Sequence, residues 1–196
     1  NQGNRFVLDN FPFTLRNNYV LNLEPGYADI YANYRENLRR NIRKSVDLHF
    51  QVSIGFPVQE VIELAKLFTP QAEIAPAIYT RFEKIYTLLN RREKAITYGI
   101  RNEKGLLLAS AVFLFDDRRA YYILVGNHPD GKTAGASHAL LDAFIKDYAG
   151  HRLILDFEGT DIRNLAFFYS GYGARTEIYP VIHLNRLPAP VRWLKK

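Results

Sequence analysis

Apolar and polar positions alternate in two rhythms along this chain. Three runs rich in β-branched and aromatic residues, 95–101, 106–115 and 120–125, are separated by the polar turns 102–105 and 116–119, which predicts a meander of antiparallel strands. Elsewhere the period is helical. Tyr31, Tyr34, Leu38, Ile42 and Val46 recur at three- and four-residue spacing and predict one helix over 28–46 with these residues as its buried stripe. Further helices are predicted at 58–68, opened by Pro57, and at 77–90 after a loop punctuated by Pro70 and Pro76. Two more follow, at 133–149, closed by Gly150, and at 161–170. Short strands are predicted at 50–54, 152–157 and 176–185. At the start, strands at 5–8 and 19–23 flank a turn at Arg16-Asn17-Asn18.

From position 95 the order is β-β-β-α-β-α-β, a meander feeding a strand–helix–strand crossover. That order predicts an α/β (α+β) fold, a mixed, mostly antiparallel twisted sheet flanked by helices. Two strands alone are marginal, so 1–23 reads as the end of an upstream unit and 24–196 as the domain proper. The chain begins without Met, in keeping with that expectation.

The composition narrows the chemistry. With 196 residues and 47% hydrophobic content there is material for one substantial core. No apolar run approaches the roughly 20 residues of a membrane span, so no membrane insertion is expected. The absence of Cys removes disulfides, thiolate nucleophiles and Cys-ligated zinc, and fits a cytoplasmic protein. The five His, among them His128 in a loop and His138 in a helix, lack metal-ligand spacing, so no metal is expected and surface or helix-capping roles are. A net charge of +6 favours anionic partners such as nucleotides, CoA phosphates or RNA.

Three segments carry candidate chemistry. The first runs from Val125 and Asn127 through Gly131, Lys132, Thr133, Gly135, Ala136 and Ser137, between a strand and a helix. A helix entry of small residues can cradle a phosphate on its backbone N–H groups, or it can be a tight turn with no ligand. The second is Leu153-Ile154-Leu155-Asp156-Phe157-Glu158-Gly159, where period-two alternation puts Asp156 and Glu158 on one face. Glu158 could serve as a general base, or brace the turn while Asp156 pairs with an Arg. The third is the helix segment Arg35–Lys44, where Arg35, Arg39 and Arg43 share one face beside Arg40 and Lys44. Such a stripe suits RNA phosphates, or is a solvated amphipathic face.

These segments carry a resemblance. The 125–137 run looks like the pyrophosphate loop of GNAT acyltransferases, with Lys132, Gly135 and Ser137 at the three positions of the family's Gln/Arg-x-x-Gly-x-Gly/Ala pattern. Phe168-Tyr169-Ser170-Gly171-Tyr172-Gly173-Ala174 resembles the family's helix in which Tyr precedes Gly by four residues. The Asp-Phe-Glu-Gly strand end and the Arg-Arg-Asn-Ile-Arg-Lys helix (39–44) resemble the second domain of tandem bacterial proteins related to the Fem peptidyltransferases (the FemAB-related group).

The resemblance implies an N-acyltransferase that moves an acyl group from acetyl-CoA or another acyl-CoA to a small-molecule amine or peptide acceptor. In it, 131–137 would hold the pyrophosphate, Glu158 would be the base, and Tyr169 the acid for the leaving group, unless Tyr169 is a packed core residue. The alternative is Fem-like transfer from aminoacyl-tRNA to a cell-wall precursor, with Arg39, Arg40, Arg43 and Lys44 on the RNA. A catalytically silent GNAT-like half that builds a cleft or a homodimer surface is the third reading.

Overall fold

A computed structural model describes residues 13–68 and 76–182. Seven strands form one sheet in the order β2-β3-β4-β5-β6-β1-β7. They are β1 (Phe13–Asn22), β2 (Gln51–Ile54), β3 (Ala95–Arg101), β4 (Leu107–Phe115), β5 (Arg119–Asn127), β6 (Ile154–Asp156) and β7 (Arg175–Ile182). Every neighbouring pair is antiparallel except β5–β6. The meander forms where the turn residues dictate it. The Asn102 side chain accepts from the N–H groups of Lys104 and Leu106, and that of Asp116 from Arg118 and Arg119.

Period-two alternation splits the sheet into two faces. On one, Tyr98, Ala111, Phe113, Tyr122, Leu155 and Phe157 form the main core with helices α1 (Tyr27–Ala32), α2 (Glu36–Asp47), α6 (Ala136–Tyr148) and α7 (Arg163–Ser170). The Phe113 and Phe144 rings stack at its centre, centroids 3.7 Å apart. On the other face, Ala95 and Val112 meet α3 (Val58–Phe68) and α4 (Pro76–Asn90) in a smaller cluster around Val61 and Tyr86. The remaining helix is α5 (Pro129–Ala134).

The structure departs from the sequence reading in four places. The strand expected to complete a sheet elsewhere is the sixth of this one: 13–22 runs unbroken through Arg16-Asn17-Asn18 and pairs with β6 and β7. The predicted strand at 5–8, the Pro70 loop and residues 183–185 lie outside the described residues. The helix at 28–46 is two, α1 and α2, because Arg35 is extended and donates its N–H to the Gly171 carbonyl at 2.9 Å. Val46, placed on the buried stripe, is 69% exposed. The helix at 133–149 starts earlier, at Pro129, and breaks at Gly135 (φ 79°) into α5 and α6.

Candidate active site

The parallel pairing of β5 with β6 is short. It covers Arg119–Ile154, Ala120–Leu155 and Tyr121–Asp156 and then stops, while β5 continues to Asn127 paired only with β4. Two local features open this gap. On β5, the β4 register shifts near Leu124, whose φ is +43°, the signature of a bulge that re-aims the strand. On the other side, Glu158 and Gly159 are both left-handed, at φ 64° and 73°. The chain after Asp156 therefore turns toward β1: the N–H of Phe157 bonds the Tyr19 carbonyl and that of Thr160 the Asn17 carbonyl. The result is a splay between two neighbouring strands, with the backbone edge of β5 beyond Tyr121 facing it.

On the helical face of the splay stand three aromatic residues. Tyr169 of α7 stacks on Phe157 at 4.6 Å and meets Tyr122 of β5 edge-on at 6.5 Å. Burial raises both tyrosine pKa values, and Tyr169 itself adds to the rise at Tyr122. Among the described residues neither hydroxyl has a hydrogen-bond partner, and both side chains are buried.

The opposite face carries charge. Asp156 and Glu177 are 5% and 7% exposed, and Arg119 bridges them at 2.6 and 3.1 Å. Asp156 also accepts from the Asn18 amide and from the backbone N–H of Glu158. It thereby holds the left-handed turn on which Glu158 sits. Asn18, Arg119, Tyr121, Asp156, Glu158 and Tyr179 line an open depression of about 240 Å³. Glu158 reaches its rim, and its pKa is raised by partial desolvation and by the neighbouring Asp156 carboxylate. Tyr121 is pushed up to about 12 by burial and by its bond to Asp116.

The comparisons with known proteins concern the fold. No protein-family model matches the sequence, and no curated protein does. Among solved structures, FemX superposes with a TM-score of 0.69 at 13% identity, over 92% of this chain and 64% of FemX. L-PGS from Bacillus licheniformis gives 0.59 at 10% identity, over 94% of this chain and 65% of that one. A GCN5-related glucosamine N-acetyltransferase region of a fungal multi-domain β-N-acetylglucosaminidase gives 0.53 at 12%, over 91% of this chain and 22% of that one. The likeness is one of fold, and the fold is GNAT-like. The chain spans less than two thirds of the length of FemX and of L-PGS.

Within this GNAT-like frame the predicted residues separate into groups. Val125 packs on the main core, and the Asn127 side chain accepts from the Ser137 hydroxyl, tying the end of β5 to the first turn of α6. Gly131, Lys132 and Thr133 do not form an open loop: they are turns of α5, whose Lys132 N–H bonds the His128 carbonyl and which ends with Gly135 N–H on the Gly131 carbonyl. His128 caps that helix through Asp130, as a capping histidine does. Helix α2 lies over the same segment. Lys44 donates to the Thr133 carbonyl at 3.0 Å, and Asn41 abuts Gly135 so closely that a Cβ there would sit 3.2 Å from it. Gly135 and Ala136 are buried beneath it.

The basic stripe is largely occupied with its surroundings. Arg35 stacks on Phe167, Arg39 donates to the Ala32 carbonyl and lies over Tyr31, and Arg43 pairs with Glu36 at 2.6 Å. Arg40 is exposed. Sequence reasoning missed Tyr122, Arg119 and Glu177. The available signal was parity: Arg119 and Tyr121 share the face opposite Tyr122, but which strands lie beside β5 is not written in β5.

Proposed function

We propose that this domain is an N-acyltransferase whose reaction takes place in the β5–β6 splay. The carrying observation is the gap itself, with the free Tyr122 and Tyr169 hydroxyls on one face and Glu158 on the other. An acyl carbonyl lying in the gap meets the unpaired backbone edge of β5, where N–H groups can stabilise the developing oxyanion. The acceptor amine enters from the charged depression. Glu158, its pKa raised toward that of a useful base, takes the proton as the nitrogen attacks the carbonyl carbon. Tyr169 supplies a proton to the departing oxygen as the tetrahedral adduct collapses.

The donor divides this reading. An acyl-CoA resting its pyrophosphate on 131–137 needs an open cradle, and here the Lys132 and Gly135 N–H groups are bonded to the His128 and Gly131 carbonyls while α2 covers Gly135. The bonded N–H groups and the cover of α2 weigh against a pyrophosphate there, and no step is assigned to CoA. The same observation favours the second donor, an ester carried on tRNA, which needs no such cradle and finds Arg40 exposed for a phosphate. The test titrates the intact protein by calorimetry with acetyl-CoA and with aminoacyl-tRNA, followed by transfer to an amine acceptor. Acyl transfer from charged tRNA with no CoA binding is expected. Tight CoA binding lost in Gly135→Val would reinstate the CoA reading. No acyl transfer from either donor would leave the domain as a silent scaffold.

A further inference from the structure

Helix α4 is apolar over more of its circumference than the fold requires. Tyr79, Phe82, Tyr86 and Leu89 face inward and pack on the smaller core. Three further aliphatic residues, Ile78, Ile85 and Leu88, are 51%, 52% and 52% exposed. At about 100° per residue they fall in one sector roughly 80° wide, adjoining the buried face rather than within it. Arg81 shares that sector and Lys84 borders it on the solvent side, and Arg91 and Arg92 follow the helix directly. From 76 to 94 there are five Lys or Arg against two Glu. Glu83 is bonded to Gln59 on the side toward α3, and Lys94 pairs with Asp117. Arg81, Lys84, Arg91 and Arg92 have no ion pair among the described residues.

We propose that α4 is an interfacial helix that lays this stripe on an anionic bilayer, with Ile78, Ile85 and Leu88 in the headgroup–acyl boundary and the four cations on lipid phosphates. Charge decides the occupant. Pairing α4 with a second copy of itself, in either direction, crowds like charges along the seam, whereas an anionic surface complements them. No described helix is long and apolar enough to cross a membrane, and at 15 residues α4 is about 22 Å long, shorter than a bilayer core. It lies along the surface rather than through it, which is how amphipathic helices with basic polar faces associate. The stripe is on the sheet face away from Tyr169, so this contact is independent of the acyl-transfer reading.

The experiment is flotation of the whole chain with vesicles of phosphatidylcholine alone and of phosphatidylcholine with phosphatidylglycerol at about three to one. Binding to the anionic vesicles only, weakened by added salt, is expected. The exposed triple variant Ile78→Ser/Ile85→Ser/Leu88→Ser and the charge variant Arg81→Gln/Lys84→Gln/Arg91→Gln/Arg92→Gln should each lower partitioning at least tenfold while keeping the wild-type melting curve. A control in Val46→Ser/Leu48→Ser, two exposed aliphatic residues at the C-terminal end of α2, should bind as wild type. Failure of the native chain to float with anionic vesicles overturns the proposal. So does equal loss in the control, and so does a stripe variant that splits a dimer in sedimentation without affecting flotation.

Discussion

Replacing Arg119 by Met should be among the most damaging single changes in this protein that leave the hydrophobic core intact. The guanidinium lies 14% exposed between two carboxylates and bonds both, at 2.6 Å to Asp156 and 3.1 Å to Glu177. Without it, Asp156 keeps two donors, the Asn18 amide and the Glu158 N–H. Among the described residues Glu177 keeps only Arg175 at 3.7 Å, and that side chain is 69% exposed. Removing one partner from a buried ionic network leaves uncompensated charge, at a cost of about 3–5 kcal/mol, a large share of the roughly 5–15 kcal/mol that holds a domain together. Urea unfolding at pH 7 reads this as a lower midpoint with an unchanged slope. The reasoning makes a second demand. Neutralising the whole network, Arg119→Met with Asp156→Asn and Glu177→Gln, should recover more than half of the loss, because the stranded charges are gone. A single variant within about 1 kcal/mol of wild type, or a triple variant worse than the single, would refute the account.

Other expectations are open to direct measurement. Glu158→Gln and Tyr169→Phe should each slow acyl transfer by about 10²–10⁴-fold with little change in melting temperature, and Tyr122→Phe should show whether the second hydroxyl contributes; full turnover in all three removes the proposed chemistry. Gly131→Ala places a Cβ 2.3 Å from the Leu108 carbonyl oxygen, so it should destabilise by about 1–3 kcal/mol or more, and a neutral result would mean α5 does not press on β4. Phe144→Ala, at the stacked centre of the core, should cost about 3–5 kcal/mol in the same assay. Burial pulls the His138 pKa down from 6.5 to about 4. A depressed folded-state value means its contribution is complete above pH 6.5 and is lost as pH falls toward 4. That loss, at most about 3 kcal/mol, should be absent in His138→Gln, and an identical acid profile in the variant would assign it to other groups.

The local signals in this chain were strong where side chains act on their own backbone. Asn102 and Asp116 make their turns without outside help, Pro57 precedes a helix, and the parity of Asp156 against Leu155 and Phe157 follows from the pleat of one strand. These suffice for a mostly antiparallel sheet with helices on it, and for placing Glu158 at a strand end. What tertiary structure alone decided were relations between segments distant along the chain. Residues 13–22 carry no mark that β6 and β7 will be their neighbours, since a strand's hydrogen-bonding edges are the same whichever partner arrives. The helix at 28–46 reads as continuous because its apolar spacing is continuous; it breaks because the Arg35 N–H is drawn to Gly171, far along the chain. The loop at 131–137 has the composition of an anion cradle. It becomes a helical turn under α2 because Leu108, Asn41 and Lys44, none of them adjacent in sequence, occupy the space and the hydrogen bonds. The splay has the same origin: β5 contributes a bulge and the Glu158–Gly159 turn contributes a direction, and neither is an opening until β1 draws Phe157 and Thr160 away.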